Sequence, residues 1–547
     1  MIHKKYWDLK VSTTKIPQEK PVNMPRIRRP KKSTWNRFVH GIWDDVVRIT
    51  TVHGVPGIFQ RNSTRIERYL LALGLLVAIY ILSLTTWNIF YIYRHKPMRT
   101  VIAELNAPIY RFSFPEVNIC NRHHFNWQRY QEAKERFLRP EHLTPKYEAL
   151  FREVLESYDT YHYGRFKVFK TIAQNYSLQE LHELDYVNFT QVAEVMAWRC
   201  YEMFSDCTWR NHTFDCCELF EPRRSQTGQC LSFNSVETEE GAMKRQKDPY
   251  YPRHTLGRGI KNGLTLRVHI RNGWHSPRSL MSYKGILFML VEPDVWSYWH
   301  RKIPTNSRVF ISIAARLTVF NQNTRQYSPA LRNCVFEDES TSTHFRTLEG
   351  HEYRFENCYS ECEQEYLMEF CNCSVDMFFP PSIRYPPCRL SDFPCLFKYR
   401  DELKNFQRIG EEDYVGTAIT GMICPCFFDC TSLSYHVDYR VEHIPEKFID
   451  PNDTGLEVSV YFLWDTATIY ETSAVYTVVD LMASIGGLAG LCIGCSLVGI
   501  TELWYFLFVD MPKRALRATL SVKWFRPRVV SPEVRKLFVK RKPLPYQ

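Results

Sequence analysis

The chain has 547 residues, of which 45% are hydrophobic and 24% charged, with 22 Gly and 30 Pro. This length is too great for one compact core, and the composition excludes a collagen-like, coiled-coil or fully disordered chain. The formal net charge of +11 raises nucleic acid as a possible class of partner, so the positions of the charges must be considered first.

The basic excess lies at the two ends of the chain. Residues 1–68 contain 15 Lys and Arg against 5 Asp and Glu, and residues 511–547 contain 11 against 1. Residues 69–510 contain 53 acidic and 44 basic residues and are therefore net acidic. Each basic end stops at a long apolar run. A membrane protein needs this arrangement, whereas a DNA-binding protein does not. We therefore predict no nucleic-acid partner.

The first apolar run, residues 69–93, has 25 residues without a charge. As a helix it would extend roughly 38 Å, enough to cross a bilayer. Basic residues flank it, and Trp87, Tyr91 and Tyr93 form an aromatic belt at its far end. A signal peptide would be shorter and would lie near Met1. The sequence predicts a first transmembrane helix over 69–93.

The second apolar run predicts a transmembrane helix over 476–509. Only Asp480 and Glu502 carry charge near its margins. The positive-inside rule places both basic ends in the cytosol, as a cytosolic N-terminal region 1–68 and a cytosolic tail 510–547. The segment 94–475 is then expected to be extracellular.

One face of the second run carries small and acidic residues at alternating steps of three and four, as on one side of a helix. They are Asp480, Ala483, Gly487, Gly490, Gly494, Leu497 and Thr501. Close helix packing through small residues explains this face. A cation pore explains it as well, because backbone carbonyls near glycines can replace the hydration shell of an ion, and acidic groups such as Asp480 and Glu502 concentrate cations at the pore mouths.

Sixteen of the 18 Cys lie between the two runs, from Cys120 to Cys430, and the basic ends have none. This distribution favours disulfides in an oxidising compartment. The C-x-C spacings do not match zinc knuckles, so no metal is predicted. The same segment contains glycosylation sequons at Asn175, Asn188, Asn211 and Asn452. Because nucleotide-binding and hydrolase motifs are absent from the sequence, we predict no enzyme activity and no cofactor.

Several motifs resemble the degenerin/epithelial sodium channel family. His53-Gly54 is similar to the family's gating motif before the first span, and residues 114–121 resemble its F-P-A-V-T-I-C-N segment, with Glu116 and Asn118 departing. Residues 228–234 resemble G-x-C-Y-T-F-N. The cysteine spacing from Cys358 to Cys373 is followed later in the chain by Cys424, Cys426 and Cys430. Together the two groups resemble the family's disulfide ladder. Within this family, residues 219–222 and 480–487 are most similar to the insect pickpocket branch.

The resemblance assigns roles within the second run. Residues 481–496 are similar to the family's pore helix, and Gly494-Cys495-Ser496 matches its G-x-S selectivity tract. Ala483 matches the position where bulky replacements hold such channels open. Asp480, Gly487, Gly490 and Glu502 are expected to line the pore or its mouths.

The resemblance also implies a fold and a set of disulfides. The fold is a membrane protein with two transmembrane α-helices and a large, disulfide-rich α+β extracellular domain, hand-like as in acid-sensing channels, assembled as a trimer. The implied disulfides are Cys120–Cys230, Cys207–Cys216, Cys334–Cys430, Cys358–Cys426, Cys362–Cys424, Cys371–Cys395 and Cys373–Cys388. Cys200 and Cys217 are left over, and they can pair with each other or exchange with Cys216.

The expected function is a sodium-selective, amiloride-sensitive cation channel subunit, multi-pass in the plasma membrane and gated through its extracellular domain in a sensory or epithelial setting. Its expected partners are sodium ions, related subunits in a homo- or heterotrimer, and membrane lipids. One alternative is a two-span receptor or lipid-binding protein of the scavenger-receptor type, which needs no pore. Another is an ATP-gated two-pass channel, which would need a cluster of extracellular lysines that the sequence does not show.

Overall fold

The computed structural model describes residues 41, 45, 47, 50–59, 64–276, 285–296, 300–407, 421–445, 454–514 and 516. The sequon residue Asn452 and most of the two basic ends lie outside these residues. The chain divides into two compact units. One comprises Met1–His95 and Val478–Gln547, and the other comprises Lys96–Thr477.

The helices of the described residues follow in chain order. They are α1 (Val55–Phe59), α2 (Arg65–His95), α3 (Tyr130–Phe137), α4 (Pro145–Tyr158), α5 (Lys170–Asn175), α6 (Leu178–His182), α7 (Phe189–Met196), α8 (Cys200–Met203), α9 (Cys216–Leu219), α10 (Glu239–Lys247), α11 (Pro329–Arg332), α12 (Phe355–Cys371), α13 (Phe393–Lys398), α14 (Val478–Ile493) and α15 (Leu497–Tyr505).

The strands of the described residues all belong to the second unit. They are β1 (Met98–Pro108), β2 (Glu116–Asn121), β3 (Phe204–Trp209), β4 (His212–Phe214), β5 (Phe220–Ser225), β6 (Gly228–Phe233), β7 (Leu264–Val268), β8 (Gly285–Val291), β9 (Arg301–Pro304), β10 (Ser307–Phe320), β11 (Cys334–Val335), β12 (Phe428–Asp429), β13 (Thr431–His443), β14 (Leu456–Phe462) and β15 (Thr466–Ala474).

Helix α2 contains the first apolar run. It has 31 residues, and the Thr64 amide that precedes it donates to the Glu67 carboxylate at 2.8 Å, which caps its first turn. Within the described residues it is the one helix that is by itself long and apolar enough to cross a membrane. The apolar side chains of its surface therefore need lipid or other helices to cover them.

The second apolar run is not the single helix that its hydropathy predicts. It forms α14 and α15, and helical turns continue α15 to Arg514. The two helices are bent by 77° at the break between Ile493 and Leu497, and only together are they long enough for a span. The predicted helical face therefore ends at Gly490, because Leu497 and Thr501 belong to a helix of a different direction. The physical reason is local: Gly494 adopts a φ of +68°, a left-handed conformation that interrupts an α-helix.

The larger sheet of the unit Lys96–Thr477 has the strand order β1-β15-β10-β14-β7-β3-β4, and β13 also pairs with β10. Strand β10 is central because it pairs antiparallel with β13 and parallel with β14 and β15. Its alternating residues Val309, Ile311 and Ile313 are completely buried. This period of two is the pattern of a strand with one face in the core.

The smaller sheet has the strand order β5-β6-β2-β8-β9. Strand β2 contains Glu116 and Asn118, the two departures from the family-like segment, and both side chains are fully buried. Glu116 pairs with the buried Arg223 of β5. Its Oε1 also accepts hydrogen bonds from Asn118 Nδ2 at 2.7 Å and from Ser232 Oγ at 2.9 Å. Glu116, which differs from the family-like segment, therefore has a buried cation and two hydrogen-bond donors as partners.

A second core lies among the helices α3 to α7, α12 and α13. Large aromatic side chains fill it, and Tyr161, Phe169 and Phe378 are completely buried. The Tyr161 ring lies 4.7 Å from the centroids of both Phe169 and Phe378 in edge-to-face contacts, a favourable arrangement of aromatic rings.

Eight disulfides lie within the unit Lys96–Thr477. The pairs are Cys120–Cys230, Cys200–Cys217, Cys207–Cys216, Cys334–Cys430, Cys358–Cys426, Cys362–Cys424, Cys371–Cys395 and Cys373–Cys388. They include the seven pairs that the family resemblance implies, and the two leftover cysteines pair with each other. Cys358 and Cys362 lie one turn apart on α12, so the facing Cys426 and Cys424 hold one side of that helix.

Glu363 lies on α12 and is buried next to Gln226, whose amide donates to its carboxylate. Burial raises the pKa of Glu363 to about 8, and the Gln226 hydrogen bond opposes this rise. Between pH 4.5 and about 8, the folded protein therefore keeps a proton that the unfolded chain has lost. The stabilising protonation is fully present below pH 4.5 and is lost as pH rises toward 8.

We expect Glu363→Gln to stabilise the protein at pH 7.5, by on the order of 3 kcal/mol, and to have little effect at pH 4.5. Gln keeps an acceptor for Gln226 and has no proton to lose. Thermal unfolding of the purified full-length protein at both pH values measures the difference. Glu369→Gln, at an exposed position of the same helix, is the control. Equal stabilisation by Glu363→Gln at both pH values would contradict this assignment.

Candidate ion pathway

The three residues of the expected selectivity tract form the break between α14 and α15. The Gly494 amide donates to the Gly490 carbonyl at 3.0 Å, and the Cys495 amide donates to the Ala489 carbonyl at 3.3 Å. Ser496 then caps α15, because its Oγ accepts from the Gly499 amide at 3.0 Å. The tract is therefore an ordered turn whose backbone is tied to both helices.

This turn leaves carbonyl groups available. Within the part of the chain that the structure describes, the carbonyl oxygens of Gly494 and Cys495 accept no hydrogen bond. Non-helical backbone is tolerated at membrane depth where it lines a water-filled cavity or is covered by protein. Free carbonyl oxygens in such a place can replace part of the hydration shell of a cation.

His53 lies against the glycine of this turn. Its amide donates to the Ile493 carbonyl at 2.8 Å. A Cβ added to Gly494 would lie 2.1 Å from His53 Cδ2 and 2.4 Å from His53 Nε2, closer than any real contact allows. The structure thus brings together two motifs that lie more than 400 residues apart in the sequence. Glycine is required at position 494 both for the positive φ and because a side chain there would overlap His53.

Gly54 serves a different purpose from Gly494. It has a φ of +87°, and its carbonyl accepts the Ile58 amide at 3.0 Å at the start of α1. Among the described residues, no atom lies within 4 Å of the position that its Cβ would occupy. Gly54 is therefore needed for the backbone turn that places His53, and not for close packing.

Thr51 and Gly499 form a second contact of the same kind that sequence reasoning missed. A Cβ on Gly499 would lie 2.4 Å from Thr51 Oγ1. Both residues adjoin expected site residues, Thr51 two positions before His53 and Gly499 three positions after Ser496. Their proximity to those motifs was the available signal, but helical periodicity does not reveal which segment covers a glycine.

Charged residues near the ends of the described chain also approach each other. Arg514 Nη1 lies 2.5 Å from Asp45 Oδ2, and Arg514 Nη2 lies 3.3 Å from Asp510 Oδ2. The three side chains are more than a third exposed, so each ion pair contributes about 1 kcal/mol or less. Glu502, expected near the inner mouth, is exposed on α15.

The expected pore-lining residues of α14 lie on an open surface of the single chain. Asp480, Ala483, Gly487 and Gly490 are exposed. Of the atoms that the structure describes, none would lie within 4 Å of a Cβ added to Gly487, and only the Cys495 carbonyl oxygen, at 3.9 Å, would lie near one added to Gly490. This face of α14 has no side chains at Gly487 and Gly490, so another helix can approach it closely. We call it the narrow face of α14.

Comparison with known proteins identifies the family to which this arrangement belongs. The family model described as amiloride-sensitive sodium channel matches residues 46–506, which include His53, the disulfide ladder and the turn at Gly494. The chain belongs to the amiloride-sensitive sodium channel family. Members of this family are ion channels of the plasma membrane, with a disulfide-rich extracellular domain.

Curated members of the family match most of the chain. Pickpocket protein 19 of Drosophila melanogaster is 27% identical over 89% of this chain and 92% of its own length. Sodium channel protein Nach of Drosophila ananassae is 24% identical over 86% of this chain and 87% of its own length. Acid-sensing ion channel 1C of Danio rerio is 21% identical over 86% of this chain and 84% of its own length. The resemblance to the sodium channel family is therefore confirmed.

Proposed function

We propose that this chain is a subunit of a sodium-selective, amiloride-sensitive cation channel of the plasma membrane. In this proposal α2 and the bent pair α14 and α15 both cross the membrane, the two basic ends lie in the cytosol, and Lys96–Thr477 is extracellular. The disulfides of that unit and the three exposed sequon residues Asn175, Asn188 and Asn211 support this topology, because both modifications belong to the secretory route.

The observation that carries the proposal is the contact between His53 and the turn at Gly494. A lipid-facing anchor has no use for a helix broken at its centre, because exposed backbone groups are costly in hydrocarbon. A channel has two uses for it. The turn presents the Gly494 and Cys495 carbonyl groups to an ion, and His53 fixes its geometry from the cytosolic side.

Trimer formation follows from the surface of α14. We propose that three copies, identical or from related subunits, pack their α14 helices around one axis through the narrow face at Gly487 and Gly490. Asp480 lies at the outer end of this face and Glu502 lies beyond the bend. Their charges would raise the local concentration of cations such as sodium at the two mouths.

Gating is assigned to the extracellular unit and to Ala483. The names of the relatives cover sodium conduction and acid sensing, and the family resemblance suggests a sensory or epithelial setting for this chain. Ala483 lies one turn beyond Asp480 on the open face of α14. A larger side chain there would obstruct the closed packing of three helices.

We expect Ala483→Val to produce a constitutive current in cells that express the chain, alone or with a related subunit. Patch recording measures the current, its reversal potential under sodium and potassium gradients, and its block by amiloride. We expect a current at least about tenfold above that of the unmodified chain, which corresponds to roughly 1.4 kcal/mol in the opening equilibrium.

The matched control is Ala103→Val, the same substitution at an exposed position of β1, where a β-branched residue suits the strand. It should leave the current unchanged. A silent membrane with Ala483→Val, despite normal surface density and every related subunit tested, would count against a channel and favour the receptor alternative.

A further inference from the structure

The extracellular unit contains a cleft of about 740 Å³ that the channel function does not use. It lies between the end of β3, the helix α10, the short turn after β1 and the loop that follows α10. Its volume falls in the range of sites for small organic ligands. All of its walls belong to the extracellular unit, so its existence does not depend on the membrane-spanning segments.

The charge of the cleft is predominantly positive. Arg210, Lys244, Lys247 and Arg253 line it, against the single carboxylate of Asp248. Lys244 is already paired with Glu221. Within the described chain, no carboxylate lies within ion-pair distance of Arg210, Lys247 or Arg253. Three cations of the cleft are thus without a salt bridge among the described residues.

The floor of the cleft is aromatic and held in place. Trp209 is 4% exposed, and its ring lies 4.8 Å from Phe114 and 5.0 Å from Phe233. Tyr251 is buried, and its hydroxyl donates to the Ser235 carbonyl at 2.8 Å. The floor therefore does not need to rearrange in order to bind a ring.

The backbone of Arg253 is also fixed. Its amide donates to Asn234 Oδ1 at 2.6 Å, and its carbonyl accepts the Phe114 amide at 2.8 Å. Asn234 belongs to the family-like segment 228–234. The Arg253 guanidinium also lies over the Phe233 ring, 5.9 Å from its centroid. Backbone and side chain are therefore both held before binding, which keeps the entropic cost of an ion pair small.

We propose that this cleft is a binding site for a small organic anion, with an aromatic or branched apolar body on the floor formed by Trp209 and Tyr251 and a carboxylate or sulfonate paired with Arg253 and Arg210. The exposed rings of Tyr110 and Tyr250 at the rim cover the apolar body. A cation of the same shape is excluded because it would meet the basic side chains.

The test uses the full-length protein in nanodiscs of zwitterionic lipid, which adds no anionic competitor. The probes are indole-3-acetate and tryptamine, which share a ring and carry head groups of opposite charge. Ligand-observed NMR titration measures binding. We expect saturable binding of indole-3-acetate, no saturable binding of tryptamine, and weakening at high salt.

Arg253→Gln should weaken indole-3-acetate binding about tenfold or more, as loss of a charge-assisted hydrogen bond does. The double variant Arg210→Gln/Lys247→Gln removes the two other unpaired cations of the cleft and should weaken binding as well, while Trp209 and Tyr251 are unchanged. The control is Arg258→Gln, because Arg258 is exposed, pairs with Asp465 at 3.4 Å and lies outside the cleft. Unchanged melting temperatures verify folding of each variant.

Equal binding of tryptamine, wild-type affinity of both cleft variants, or no saturation up to millimolar probe would each overturn the proposal. None of these measurements requires an ion current. A failure of the anion site is therefore distinguishable from a failure of the proposed channel function.

Discussion

Replacing Gly494 with alanine should abolish most of the current of the constitutively open Ala483→Val channel while the protein still reaches the cell surface. The left-handed φ of +68° costs a residue with a side chain about 1–2 kcal/mol. The overlap of the new Cβ with the His53 ring adds about 1–3 kcal/mol. Together these costs predict a loss of current of about 30-fold or more, measured by recording and normalised to surface biotinylation.

Two further variants separate the causes. Gly74→Ala is the matched control, because Gly74 lies in α2 and an added Cβ there meets no atom within 4 Å. It should conduct normally. In a His53→Gly background, Gly494→Ala should cost less, since the overlap is gone and only the backbone conformation remains. An equal cost of Gly494→Ala with and without the His53 side chain would contradict the contact.

The sequence predicts much of the architecture because its strongest signals are local. The uncharged run 69–93 lies within α2, and the alternating apolar residues of β10 form a buried strand face. Seven of the eight disulfide pairs are those that the family resemblance implies, residue by residue, and the pairing of Cys200 with Cys217 was left open. The cysteine spacing is informative because Cys358 and Cys362 must share one side of a helix to meet Cys426 and Cys424.

The break at Gly494 was not predicted from the hydropathy of the second run. The run is continuously apolar, and glycine occurs in many unbroken membrane helices. What interrupts α14 is a left-handed φ at Gly494 and the cap by Ser496. The sequence is compatible with both features but requires neither. The prediction that Leu497 and Thr501 continue the same helical face is therefore wrong.

Contacts between distant segments were also beyond the reach of sequence reasoning. Arg354, for example, is buried and donates to Asp294 at 3.1 Å and to Glu337 at 2.7 Å, and Asp429 lies 3.8 Å away. Burial raises the pKa of Asp429 to about 6, and Arg354 opposes this rise. These carboxylates come from different loops and strands, and no spacing in the chain indicates that they surround one arginine.

Glu116 and Arg223 form another such pair, and their separation should have a large effect on stability. Both side chains are almost completely buried, and burial lowers the pKa of Arg223 to about 10, so the guanidinium remains charged at neutral pH. Arg223 Nη2 also donates to the Val295 carbonyl at 2.7 Å. Arg223→Met alone would leave a buried carboxylate unpaired, which costs about 3–5 kcal/mol. Glu116→Ala alone should cost a similar amount.

Removal of both charges should restore most of the stability, because a well-packed apolar pair replaces a buried ion pair at little cost. Asn118 and Ser232 lose their shared acceptor in Glu116→Ala, at about 1 kcal/mol each. The variant E116A/N118T/R223M removes the first of these losses and recreates the family's A-V-T order in β2. Thermal and denaturant unfolding of the purified protein should place it close to the unmodified chain.

The exposed pair Glu104–Arg111 supplies the control, since its side chains are 42% and 52% exposed and Glu104→Ala should change stability by less than about 1 kcal/mol. A simple sum of the single effects in E116A/R223M would show that the two residues act independently. The expected coupling of several kcal/mol would instead show that the buried acid depends on its arginine. The departures from the family motif at Glu116 and Asn118 would then be explained by contacts within the core, because each departing side chain has a partner there.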